Sequence, residues 1–145
     1  MIQLFTIGYT HKSAEMFFSL LEANHVKSII DIRLNNNSQL AGFSKKNDLE
    51  YFLKNILGID YYYLHYLAPT KDILNAYKKK EINWNDYELQ FNILIEERNI
   101  EEKVDIHILQ NGCLLCAEEY ADKCHRRLVA EYLQGKFKEI AITHL

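Results

Sequence analysis

Apolar residues follow two rhythms along this chain, short unbroken runs and stripes spaced three or four apart, and each change of rhythm predicts an element boundary. The first run, Ile2 to Ile7, is β-prone and breaks at Gly8-Tyr9-Thr10-His11. Ser13 then stands where a helix cap belongs, ahead of Ala14, Phe17, Phe18 and Leu21 at helical spacing. Val26 to Ile32 is a second run, dominated by Ile and Val as a strand buried on both faces should be, and it closes in Asp31-Ile32-Arg33. Leu34 to Lys46 is polar, with three successive asparagines. A loop of that length either covers a ligand or lacks structure of its own. Asn47-x-x-Glu50 has the form of a capping box for a helix carrying Leu49, Phe52, Leu53 and Ile56, with Gly58 as its stop.

Ile59 to Leu64 predicts a third strand, and Thr70 begins a helical stretch to about Lys80. Asn85-x-x-Glu88 reads as the start of a further helix bearing Tyr87, Phe91, Leu94 and Ile95. Ile100 to Asn111 fits two patterns. Val104, Ile106 and Ile108 alternate like a strand, with Asn111-Gly112 as a hairpin turn, while Ile100, Val104 and Ile108 share one helix face with Asn111-Gly112 as its end. We adopt the helix. Cys113 to Ala117 is then a short buried strand, Lys123 to Gln134 a helix stopped by Gly135, and Glu139 to His144 a last strand. This alternation predicts a single α/β domain over residues 1–145. It is a three-layer α/β/α sandwich whose mostly parallel sheet has about five strands, the first of them central.

Composition adds limits. With 48% hydrophobic residues in 145, the chain can bury a core without disulfides or a structural metal. Three cysteines and an N-terminus without a charged-then-apolar leader point to a cytoplasmic protein, and no run is long enough to span a membrane. Seventeen basic against twenty acidic residues leave a net charge of −3, which does not indicate whole-surface attraction to nucleic acid, although a local basic patch is compatible with it.

The candidate chemistry is concentrated between Cys113 and Arg127. Cys113, Cys116, Cys124 and His125 could supply four metal donors, but a second paired knuckle is missing and residues 113 and 116 of a strand point to opposite faces. No metal and no cofactor are expected. Cys116 sits near the strand's carboxyl end with Glu118 just beyond. If Asp122 caps the next helix, Cys124 lies in its first turn beside His125 and Arg126, where a thiolate is favoured. Cys124 and His125 turned inward merely to dock the helix is the alternative. Glu118 and His125 are candidate acid and base, and Cys116 or Cys124 the nucleophile. Gly8, Thr10, His11, Asp31, Arg33 and Arg126, with Thr143-His144 as a possible addition, are candidates for binding an anion at the same sheet edge. Arg33 and Arg126 are expected to approach closely enough to share it. Tyr61, Tyr62, Tyr63 and His65 could stack on a base or sugar, or simply pack a sheet edge.

The strings TIGYTHKS, DIR and LLCAEEYADKCHRRLVAEYL also carry a resemblance. Together they resemble a bacterial and archaeal family, domain of unknown function 488, over essentially the full chain, with Cys-x-Glu followed by Cys-His-Arg as the most specific part. The resemblance implies one α/β domain with Gly8, Thr10, Arg33, Cys116, Glu118, Cys124, His125 and Arg126 gathered in one pocket. It implies no particular reaction. Members commonly have an apolar residue at the place of Cys113, which sets that thiol apart. The functional expectation is an enzyme acting on a small phosphate-bearing or nucleotide-like anion. The rivals are a nucleic-acid-binding module using Arg33, Arg126, Arg127 and the tyrosines, and a non-catalytic interaction domain whose arginines pair internally with Asp31 and Glu118.

Overall fold

The computed structural model describes residues 1–37 and 42–145. Five strands, β1 (Ile2–Gly8), β2 (Ser28–Asp31), β3 (Asp60–Tyr63), β4 (Gly112–Cys116) and β5 (Ile140–His144), form one sheet in the order β3-β2-β4-β1-β5. Every pairing is parallel. Helices α1 (Ala14–Ala23) and α2 (Lys46–Phe52) cover one face, where Phe17, Leu21, Leu49 and Leu53 pack on Phe5, Ile7, Cys113 and Leu115. The other face carries α4 (Trp84–Glu97) and α7 (His125–Phe137), whose Phe91, Ile95, Leu128 and Leu133 pack on Leu4, Ile30 and Leu114. Alternate residues of β4 thus enter different cores, as the pleat requires. The middle of the sheet belongs to β4, not β1, and all five of its residues are buried. A strand covered on both faces is the one that reads as a continuous apolar run.

Helix starts are where the pattern and the fold differ. Ser13 does cap α1, accepting from the Met16 N–H, and Thr70 caps α3 (Lys71–Lys78) by accepting from Ile73. The capping box of α4, however, is Asn83 with Asp86, two residues before the expected one. Starting there puts Trp84 inside the helix, with its ring stacked on Tyr87 at 5.1 Å. The box expected at Asn47 does not form; α2 starts at Lys46, whose N–H is already satisfied by the Asn36 carbonyl at 2.8 Å. That helix passes into a π-helical turn, Leu53–Leu57, and stops at Gly58 with φ +65°, the left-handed value expected of a glycine stop.

No hairpin joins residues 104 and 117. Ile100 to Asn111 instead forms two single turns, α5 (Ile100–Lys103) and α6 (Ile106–Leu109), broken where Val104 and Asp105 turn extended. Helix α7 runs past Gly135 to Phe137 and ends with Lys138 at φ 55°. The long polar loop contributes a 3-10 turn at Gly42–Ser44, and the central part of the proposed lid, residues 38–41, lies outside the described residues. Among the described residues no helix is long and apolar enough to cross a membrane.

The register brings the strand ends together: Gly8 is paired with Cys116, and Asp31 with Leu115. In an open parallel sheet this carboxyl edge is where a ligand crevice forms.

Candidate functional site

Cys116 ends β4 on the face covered by α7, and His125 opens α7 directly above it. The Cys116 Sγ lies 3.3 Å from His125 Nδ1, and His125 Nε2 lies 2.8 Å from the Ile32 carbonyl. A carbonyl can only accept, so Nε2 holds the ring proton and Nδ1 presents its lone pair to the thiol. The ring is further held edge-on to Phe91 at 5.5 Å, and only 6% of the residue is exposed. A thiol, an imidazole and a carbonyl that orients the imidazole thus stand in one line.

Of the two candidate thiols, Cys116 rather than Cys124 has surroundings that favour the thiolate. Cys116 is held below the ordinary thiol value, first by a hydrogen bond from Cys124, with the Ala117 and Glu118 N–H groups and the Arg126 charge adding to it against the cost of burial. Cys124 is pushed well up by burial and then by the neighbouring Cys116. It does not sit in the first turn capped by Asp122. Cys124 is itself the N-cap, extended at φ −138°, and it is 2% exposed, while Asp122 is exposed and contributes its carbonyl to Arg127 Nε. Cys113 faces the other core, and burial drives its thiol up as well.

Arg126 is fully buried. Its guanidinium holds the loop after β4 and a hydroxyl of β1: Nη1 donates to the Glu118 carbonyl, Nη2 to the Glu119 carbonyl at 3.3 Å, and Nε to Thr6 Oγ1 at 3.1 Å. Glu118 itself is exposed, so what it brings inward is a backbone oxygen rather than the acid expected of it. Gly8 lies flush against that oxygen. The Thr10 N–H bonds to the Ala117 carbonyl at 3.1 Å, and exposed His11, at φ 61°, meets Glu119 through Nδ1 at 2.7 Å, so the loops after β1 and β4 are tied at two points.

Thr6 receives the Arg126 donor, which leaves its one hydroxyl proton for His144 Nδ1 at 2.7 Å. His144 is lowered from the usual imidazole value, chiefly by burial and then by the Arg126 charge, against an opposing pull from Glu131. The fold thus favours the neutral ring. That contribution is complete above the unfolded value of about 6.5 and is lost as pH falls through the lower folded one. An NMR titration, with the resonance assigned by its loss in His144→Gln, should give a midpoint below about 6.5; a midpoint at or above it would contradict the burial of the ring beside Arg126.

The second arginine is engaged differently. Arg33 Nε and Nη2 each donate to Asp31 at 2.9 Å, the Arg33 N–H adds a third bond at 3.1 Å, and the two side chains are 3% and 0% exposed. Tyr61 OH donates to the same carboxylate, and Tyr63 OH to the Arg33 carbonyl at 3.1 Å. The guanidinium stands 5.5 Å over the Tyr9 ring. Arg33 Nη1 alone has no partner among the described residues. Both guanidinium groups are thus held by internal partners, Arg126 through all three nitrogens and Arg33 through two of its three.

Thr6 and Tyr9 border the site without having been singled out in the sequence, and Tyr61 and Tyr63 enter it as hydrogen-bond donors to Asp31 and Arg33. The signals were a polar residue inside the first apolar run, and tyrosines two apart on the strand next to a buried acid. Of the expected residues, Cys116, Cys124, His125, Arg126 and Gly8 do converge, and the donor atoms of Cys116, Cys124 and His125 lie within 4.8 Å of one another. Asp31 and Arg33 form an adjoining cluster joined to it through the Ile32 carbonyl. An apolar groove lined by Phe18, Phe43, Phe52, Ile56 and Leu57 lies among the helices of the opposite face.

No curated protein and no solved structure matches the chain. The family described as "Domain of unknown function DUF488" matches residues 13–133, a span that includes Asp31, Arg33 and the whole Cys116 to Arg126 cluster while leaving out β1. With most of its length and nearly all of its candidate site inside that match, the chain belongs to the DUF488 family.

Proposed function

We propose that this protein is an enzyme that uses Cys116 as a nucleophile on a small anionic substrate. The observation that carries the reading is the line from Cys116 Sγ through His125 to the Ile32 carbonyl, which has the nucleophile–base–orienter form of covalent catalysis. In the forward step Nδ1 takes the thiol proton as sulfur attacks an electrophilic centre, and the same proton then passes to the leaving group. The Ala117 and Glu118 N–H groups, directed at the sulfur, suit negative charge there. For the anionic part of the substrate the spare donor is Arg33 Nη1, buried and fixed by Asp31. The firm pairing of Arg33 with Asp31 is also what a non-catalytic interaction domain would have, so the test must separate the two.

Alkylation does so without knowledge of the substrate. Limiting iodoacetate or iodoacetamide on the folded protein should modify Cys116 before Cys113 or Cys124, and the anionic reagent should be favoured relative to its ratio on glutathione. His125→Gln should slow modification of Cys116 by about 100-fold. Equal labelling of all three thiols, or no effect of the histidine change in a protein of native circular dichroism, would leave the cluster as packing.

A further inference from the structure

Cys116, Cys124 and His125 also meet a different chemical requirement, one that does not depend on Cys116 being a nucleophile. We propose that the two sulfurs and His125 Nδ1 bind one soft divalent cation, zinc in the first instance, with three protein donors and one position left for an exogenous ligand.

The distances come first. Tetrahedral zinc, with bonds of about 2.3 Å to sulfur and about 2.0 Å to nitrogen, needs a sulfur–nitrogen edge of roughly 3.6 Å and a sulfur–sulfur edge of roughly 3.8 Å. The Cys116–His125 edge is 3.3 Å, and every edge of the triangle is within 4.8 Å. Adjustments of a few tenths of an ångström to about 1 Å, within reach of χ1 rotations, would close it. The donors also come from fixed places, the last residue of the central strand and the N-cap and first residue of the helix packed on it.

The surroundings agree. A ligating histidine characteristically donates its other N–H to a carbonyl or carboxylate, which sets the tautomer and aims the lone pair; here Nε2–H donates to the Ile32 carbonyl and Nδ1 faces the sulfurs. Two sulfurs and one imidazole, with no carboxylate among them, select zinc-like ions over magnesium or calcium. Binding replaces one proton on each thiol, so the centre is neutral, and the N–H groups of Ala117 and Glu118 already point at the Cys116 sulfur. Cys113 faces the other core and takes no part. Three protein donors and an open position is the pattern of reactive rather than structural zinc sites. With the ion bound, the Cys116 lone pair is occupied, so the metal-loaded and free-thiol forms are alternatives.

The test uses the full-length chain, reduced and freed of metal by chelator. Native mass spectrometry with added zinc should show one ion per chain at a mass increase of one zinc less two protons, and cobalt(II) should give thiolate charge-transfer absorption with the visible bands of a tetrahedral site. Cys124→Ser or His125→Gln should weaken zinc binding more than about 100-fold, and Cys113→Ala should leave it intact. Zinc, but not magnesium, should protect Cys116 and Cys124 together from alkylation. No bound zinc at micromolar free concentration, a cobalt spectrum without thiolate bands, or binding unchanged by both ligand substitutions would overturn the proposal. Because alkylation of the metal-free protein is read separately, failure here and failure of the nucleophile reading are distinguishable.

Discussion

Gly8→Ala is expected to destabilise the protein by more than about 4 kcal/mol, at or beyond the upper end for adding a methyl group to a packed site. A Cβ built at Gly8 would stand 1.6 Å from the Glu118 carbonyl oxygen, 2.7 Å from its carbon and 2.9 Å from Arg126 Nη1. None of these can swing aside. The Glu118 oxygen is held by a guanidinium that is fully buried, and the Thr10–Ala117 bond pins the same loop to the end of β1. Relief requires the loop to lift off, which would strip Arg126 of carbonyl partners and leave a buried charge uncompensated, a change of about 3–5 kcal/mol by itself. The measurement is thermal or urea unfolding, with a fall in Tm of roughly 10 °C or more. Gly135 is the control: it lies inside α7 with open space around its would-be Cβ, so Gly135→Ala should stabilise by about 0.5–1 kcal/mol. A loss below about 1 kcal/mol at Gly8 would mean that the two loops are not locked together as described.

The strands were legible because a parallel sheet buried on both faces admits little but apolar residues, and Ile2–Gly8 and Gly112–Cys116 carry that demand openly. The residues bordering the sheet's carboxyl edge could be found for the same reason, since polar letters at the ends of such runs stand out. What could not be read was which partner each would take. Arg126 is satisfied mainly by backbone carbonyls, and a carbonyl is present at every residue, so no letter announces it. The thiolate expected at Cys124 rested on a smaller uncertainty. Asp122 and Cys124 are two residues apart, and moving the helix start from one to the other takes Cys124 from a place among free N–H groups to the cap itself. The Asn83 and Asn85 ambiguity at α4 is of the same kind, with two capping residues within one turn and tertiary packing of Trp84 deciding between them. Tyr61 and Tyr63 suit either stacking or packing a sheet edge by sequence; their strand lies beside β2 with both hydroxyls turned to Asp31 and Arg33, partners visible only once strand neighbours are known.

The Asp31–Arg33 pair should then behave as a buried ion pair, and Asp31→Asn should cost about 3–5 kcal/mol, because it removes the charge while leaving the guanidinium in place. The asparagine amide also brings a donor where the carboxylate met only donors: Arg33 Nε and Nη2, the Arg33 N–H and Tyr61 OH. One of them must lose its acceptor, and around Asp31 and Arg33 little water is at hand to replace it. Arg33→Met should be similarly costly, since it leaves a carboxylate at 0% exposure with Tyr61 and a single backbone N–H as donors. Changing both, Asp31→Leu with Arg33→Met, removes the two charges together and should recover a substantial part of either loss, though not all, because Tyr61 OH is then unsatisfied. Urea unfolding of the parent, Asp31→Leu, Arg33→Met and the double variant measures this as a coupling free energy of at least about 2 kcal/mol. Additive effects, or single changes below about 1 kcal/mol, would assign the pair the weight of a solvent-exposed one. In that event the fixed orientation of Arg33 Nη1, on which its role as an anion donor depends, would have no support from the pair.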